Sequence, residues 1–180
     1  VASFGENHPN KYLRDAHLKY IKHLDENPKV YGSIRRVVFS GENHYLKNID
    51  TNSQDMVLTF RNTHNWIKYG GVENIYRAFH RVLKKGGILG VVQHRARNDD
   101  DVKESAKNGY VPERYLINLA EKIGFELVEK SEINANPKDN KDHPKGVWTL
   151  PPTLRLGDSD KKKYIEIGES DRMTLRFIKL

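Results

Sequence analysis

The succession of apolar periodicities between residues 54 and 92 constrains this chain more than any other feature. "QDMVLTF" contains a continuous apolar run, Met56 to Phe60, of strand length and consistent with burial on both faces. Helical spacing follows: Val72, Ile75, Tyr76, Phe79, Val82 and Leu83 fall on one stripe after Gly70-Gly71. Lys84-Lys85 in the last turn and Gly86-Gly87 beyond it supply the chemistry of a helix end. Ile88 to Val92 is again an apolar strand. Strand, helix and strand in that order predict a parallel unit, because parallel strands need a crossover that lies on a face of the sheet.

The alternation continues on both sides. Val1 to Phe4 reads as a short strand; Leu13, Ala16, Tyr20 and Leu24 then take helical spacing, with Asn10 as cap and Asn27-Pro28 as stop. Val37-Val38-Phe39 is a strand closed by Ser40-Gly41. A third helix carries Leu116, Leu119, Ala120 and Ile123, with Pro112 near its first turn and Gly124 at its end, and Phe125 to Val128 resumes as a strand. Met173, Leu175 and Phe177 alternate with Thr174 and Arg176, as a half-solvated antiparallel strand requires. The expected fold is α/β in a single domain over 1–180: a mostly parallel sheet covered on both faces, closed by a final antiparallel strand. Residues 131–171 carry little periodicity, and their Trp148, Leu150, Pro151, Pro152 and Leu154 predict an ordered flap.

Composition narrows the class. No apolar run approaches the ~18 residues that span a bilayer, so no membrane partner is expected. The absence of cysteine removes disulfides, thiolate metal sites and cysteine nucleophiles. His143 has no companions at metal-ligand spacing, so no metal site is expected either. The net charge of +7 is dispersed, and its densest run, Lys161-Lys162-Lys163, follows Asp158 and Asp160 as a solvated loop does. Without a basic motif interleaved with aromatics, that charge makes a poor case for nucleic acid. No export signal opens the chain, so the default compartment is cytoplasmic, with export left open.

Two segments together, "QDMVLTFRNTHNW" and "GGVENIYRAFHRVLKKGGILGVVQHRA", resemble the fourth strand, following helix and fifth strand of class I, Rossmann-like S-adenosylmethionine-dependent methyltransferases. The matching motifs are Asp55-Met56-Val57, Leu83-Lys84-Lys85-Gly86-Gly87 and Ile88-Leu89-Gly90-Val91. The stretch from Tyr110 to Pro152 resembles a bacterial branch of that family, and "ESDRMTLRFIKL" resembles its closing antiparallel strand. The family holds the cofactor's methionine end on a glycine-rich loop after its first strand, and no G-x-G-x-G occurs here. The resemblance therefore makes Val1–Phe4 the second strand and puts the first strand and its loop upstream of residue 1.

Open α/β sheets bind ligands beyond the carboxyl ends of their strands. The resemblance puts Phe4 and Glu6 beside the cofactor's ribose, although Glu6 comes two residues late and reads equally as a solvated loop residue. It puts Ser40, Gly41 and Glu42 beside the adenine, where an ordinary turn would look the same, and Phe60 and Arg61 on the cofactor side of the next strand end. That strand end is the usual floor of the methyl-transfer site. His64 there is the candidate base, since imidazole titrates near neutral pH. Asn62 and Asn65 can hold a substrate by amide hydrogen bonds, Arg61 can pair with a carboxylate or phosphate, and Trp66 can wall the pocket. As plain structure, Asn62 and Asn65 are caps and Trp66 is core. His94, after the next strand, is the second candidate base. Tyr110 and Trp148 complete the substrate side.

The function expected is methyl transfer from S-adenosylmethionine to a small-molecule acceptor. Two alternatives stay open: a catalytically inactive interaction module of the same fold, suggested by the missing glycine motif, and an RNA-modifying methyltransferase, suggested by the charge.

Overall fold

A computed structural model describes residues 2–3, 6, 10–39 and 45–180, which divide into two units, Val1–Asp50 and Thr51–Leu180. In the first, strands β1 (Ala2–Ser3) and β2 (Val37–Val38) pair in parallel. Between them in the chain come α1 (Lys11–Asp25) and α2 (Pro28–Tyr31). The Asn10 side chain accepts from the Tyr12 and Leu13 N–H groups and so starts α1 where the sequence indicates.

The second unit holds β3 (Gln54–Phe60), α3 (Thr63–Lys68), α4 (Val72–Val82), β4 (Leu83–Ala96), α5 (Val102–Lys107), β5 (Val111–Pro112), α6 (Glu113–Ile123), β6 (Phe125–Ser131), α7 (Lys161–Ile167) and β7 (Arg172–Lys179). Its sheet runs β3-β4-β7-β6, with β5 beside the end of β4. β3 and β4 are parallel, while β7 is antiparallel to both β4 and β6. The α/β class and the final antiparallel strand are those the sequence predicts. Pairing sets Leu89 opposite Phe177 and Val91 opposite Leu175, so these four buried side chains share one face. α4 buries Ile75, Tyr76, Ala78, Phe79 and Val82, and α6 buries Leu116, Leu119, Ala120 and Ile123. Each fully buried Leu or Phe stabilises the unit by about 2 kcal/mol. Gly124 ends α6 at φ 110°, and a Cβ there would meet the His80 ring at 2.9 Å.

Two expectations need correcting. α4 stops at Val82, so Lys84-Lys85 and Gly86-Gly87 are not its end but a bulge in β4: between the pairs Gln54–Leu83 and Met56–Ile88, one residue of β3 opposes four of β4. Gly86 takes φ 73° there, and Lys84 bonds Asp55 at 2.7 Å. The run Met56–Phe60 is not buried on both faces: β3 is the edge of its sheet, and Met56, Leu58 and Phe60 are 50%, 56% and 54% exposed. The charged stretch after Ala96 contains α5, begun by Asp101, whose carboxylate accepts from the Lys103 and Glu104 N–H groups. Residues 131–171 include a 3₁₀ turn at Gly146–Thr149 and α7, and they bury Asp139, Leu150, Tyr164 and Ser170.

Candidate functional site

β3 leaves the sheet through a strained residue. Arg61 has φ 58°, a left-handed conformation that costs a side-chain-bearing residue about 1–2 kcal/mol, while its N–H donates to the Val92 carbonyl at 2.7 Å. The turn delivers Thr63 and His64, both buried, into the first turn of α3. The Thr63 and Tyr76 hydroxyls bond at 3.0 Å and anchor that turn to α4. Replacing Arg61 with glycine relieves the strain, and urea unfolding should show Arg61→Gly more stable by about 0.5–1 kcal/mol, the rest being offset by glycine's freer unfolded chain.

The neighbouring strand brings up the second half of the cluster. His94 lies within β4 rather than after it, and beside it Gln93 is fully buried, its Nε2 donating to the Gly109 carbonyl at 2.9 Å. The same nitrogen stands 3.3 Å from His64 Nδ1, and Gln93 Oε1 has no hydrogen-bond partner among the described residues. His94 Nδ1 pairs with the Ser170 hydroxyl. The His64 and His94 rings are 5.9 Å apart by centroid, and Trp148 meets His64 edge-on at 5.8 Å. Arg155 lies over the Trp148 ring at 4.9 Å.

Burial governs the charge here. It pushes His64 down to about 4, with the Lys68 charge adding to the effect. Burial likewise pushes His94 down to about 3, helped by His64, Arg61 and Arg172. Both imidazoles are neutral at pH 7, so each offers one donor and one acceptor nitrogen.

A buried carboxylate ties the flap to this cluster. Asp139 accepts from the Tyr110 hydroxyl at 3.1 Å, the Asp171 N–H at 2.8 Å and the Lys141 N–H at 2.8 Å, and lies 2.9 Å from His143 Nε2. Burial first, and then the Asp139 charge, raises the Tyr110 phenol far above its ordinary value, so it stays a donor. Arg95 forks onto Asp171, at 3.1 and 3.0 Å, and onto Glu132, at 2.9 and 2.6 Å. Both ends of the 131–171 segment are thereby fastened at the carboxyl end of β4.

No protein-family model and no curated protein matches the sequence. Solved structures do match. An S-adenosylmethionine-dependent methyltransferase from Methanosarcina mazei superposes with a TM-score of 0.55 at 12% identity, over 100% of this chain and 82% of that one. The fold is the Rossmann-like methyltransferase fold. The arsenic(III) S-adenosylmethionine methyltransferase CrArsM from Chlamydomonas reinhardtii gives 0.53 at 18% identity, over 99% of this chain and 54% of that one. The cyclase SpnF gives 0.55 at 15% identity, over 90% of this chain and 63% of that one. The chain thus spans under two thirds of the length of these last two, one of which is described as a cyclase, so the likeness speaks for the fold and not for the reaction.

Within this methyltransferase fold the sequence-derived candidates separate. Phe4, Ser40, Gly41 and Glu42 lie outside the described residues. Glu6 is an exposed turn residue of the Val1–Asp50 unit. His64, His94, Tyr110 and Trp148 come together at the ends of β3 and β4, His94 lying 6.4 Å from Tyr110 by ring centroid. Phe60, Arg61 and Asn62 stand exposed at the same strand end; Asn62 begins α3 without a side-chain cap bond, and Asn65 is half-buried within it. Trp66 instead packs edge-on against Tyr76 and Phe79, at 6.2 and 5.7 Å, and so braces α3 on α4. Sequence reasoning puts Gln93 in the crevice-facing cluster without a role and passes over Ser170 and Asp139 as site residues. Their signal is tertiary: Ser170 is 76 residues from His94, and Asp139 29 from Tyr110. Among the described residues no group of three or more His, Cys, Asp or Glu is arranged to hold a metal, and no helix is long and apolar enough to cross a membrane.

Proposed function

We propose that this protein is an S-adenosylmethionine-dependent methyltransferase acting on a small-molecule acceptor, with His64, His94 and Asn62 at the methyl-transfer end. The observation that carries the reading is the neutral His64–Gln93–His94 cluster at the carboxyl ends of two parallel strands, where sheets of this kind bind their ligands. The described residues suit the cofactor's reactive end in one respect. Gln93 Oε1 is a buried, unpaired oxygen of the polarity a sulfonium attracts, and the imidazoles beside it carry no charge. Phe60 and Arg61 are proposed to hold more of the cofactor from this unit.

When bound, the cofactor supplies an electrophilic methyl group. The chain's own residues then align an acceptor and take its proton. Asn62 and Asn65 hold the acceptor, Arg61 pairs with any carboxylate or phosphate on it, and Trp148 and Tyr110 close the site from the flap side. Calorimetry with S-adenosylhomocysteine on the full-length protein tests the reading: heat and a thermal shift are expected, and neither at millimolar ligand would sink it. With methyl transfer followed from labelled cofactor, His94→Ala should lower kcat by about 100-fold or more and leave cofactor affinity within twofold. A second reading, an interaction module of the same fold, is favoured by half-exposed Met56, Leu58 and Phe60 on the edge strand. Absent cofactor binding together with concentration-dependent association would support it.

A further inference from the structure

We propose that Gln93 is a positioning residue that fixes His64 as its Nε2–H tautomer, so that His64 meets its ligand as a hydrogen-bond donor and His94 is the proton acceptor of the pair. Only the identity of the ligand rests on the methyltransferase reading; the tautomer follows from hydrogen-bond polarity alone.

The amide of Gln93 has one orientation that satisfies its surroundings. Nε2 carries two hydrogens and no free lone pair, and it sits 2.9 Å from the Gly109 carbonyl oxygen, with the His94 carbonyl a longer 3.4 Å away. Turning the amide over would press Oε1 against those two oxygens and put the N–H groups where Oε1 now finds no partner. The atom facing His64 Nδ1 at 3.3 Å is therefore a donor. A protonated Nδ1 would set donor against donor in a buried place, so Nδ1 accepts. A neutral imidazole has one proton, and here it lies on Nε2.

This reverses the role that sequence position suggests for His64. The lone pair a base needs is already engaged by Gln93, and the remaining nitrogen donates. His94 differs because its Nδ1 partner is the Ser170 hydroxyl, which accepts as readily as it donates. With Nδ1–H directed at Ser170 Oγ, His94 Nε2 keeps its lone pair. A donor and an acceptor on rings 5.9 Å apart suit a hydroxyl, which both accepts and donates. His64 Nε2–H holds one lone pair of its oxygen, the second is left to react, and the hydroxyl proton passes to His94 Nε2.

Nitrogen NMR of the full-length protein labelled at histidine, recorded at pH 7.5 without cofactor, tests this, with His64→Gln identifying the His64 signals. The expected wild-type spectrum shows His64 Nδ1 unprotonated and Nε2 protonated. In Gln93→Met, which removes the donor, the single tautomer should give way to a mixture. A wild-type spectrum with Nδ1 protonated overturns the proposal, as does a folded Gln93→Met protein that keeps the single Nε2–H tautomer. The wild-type spectrum decides even where a variant fails to fold. Because no cofactor is present, this failure is distinct from a failure to bind S-adenosylhomocysteine.

Discussion

The unfolding free energy should fall by about 2.4 kcal/mol per pH unit as the pH drops from 6 to 4.5, a little under two protons' worth, from His64 and His94 alone. Folding lowers both from an ordinary value of 6.5, to about 4 and about 3, chiefly by burial. In that window the unfolded chain binds the protons and the folded protein does not, so acid favours unfolding. The stabilisation is fully present well above pH 6.5, is lost progressively as pH falls from there towards the folded-state values, and levels off below them. Across the window the loss is on the order of 4 kcal/mol, comparable to the whole stability of a small domain. Urea titrations at successive pH values measure the slope. His94→Gln should cut it by about half, and so should His64→Gln; a slope unchanged in both variants would mean that neither ring is held neutral.

Asp139→Ala should cost about 3–5 kcal/mol at pH 7.5, because it leaves several buried donors without an acceptor at once. The side chain it removes is fully buried and serves the Tyr110 hydroxyl, two backbone N–H groups and His143. The effect should be local before it is global. Amide exchange should speed up from about 134 to 171, while α4 and α6 keep their protection. Asp139→Asn, which keeps one acceptor oxygen, should lose less. Equal losses in the two variants, or unchanged exchange in the flap, would show that Asp139 does not fasten it.

Much of the scaffold is legible in the sequence because it is periodic. The Leu116–Ile123 stripe and Gly124 define α6, and the alternation around Leu175 defines β7 with its buried and open sides. The failures have physical causes. A basic pair followed by two glycines ends many helices, but Lys84–Gly87 forms a bulge, since Val82 and Leu83 are both buried and the chain turns extended at Leu83. An apolar run cannot say whether its strand has one neighbour or two, and among the described strands β3 pairs with β4 alone. α5 is six residues long, too short for a stripe, and only Asp101 three residues before Glu104 marks its start. The site was half legible. His64 and His94 stand at strand ends and could be named, whereas Gln93 gains its meaning from the Gly109 carbonyl 16 residues on, and Ser170 from the return of the flap.

The place of β7 sets a timetable for assembly. It comes after every other described strand in the chain, yet it lies between β4 and β6. As the polypeptide leaves the ribosome, β3, α4 and β4 can associate early, since short loops join them. β6 has no strand to join until residues 172–179 arrive, and the register from Ile88–Ile178 to His94–Arg172 closes loops of 90 and 78 residues. Wedging the strand into the middle of the sheet thus makes the final step the one that turns two partial layers into one, and a nascent chain arrested before it should remain open to protease along β6.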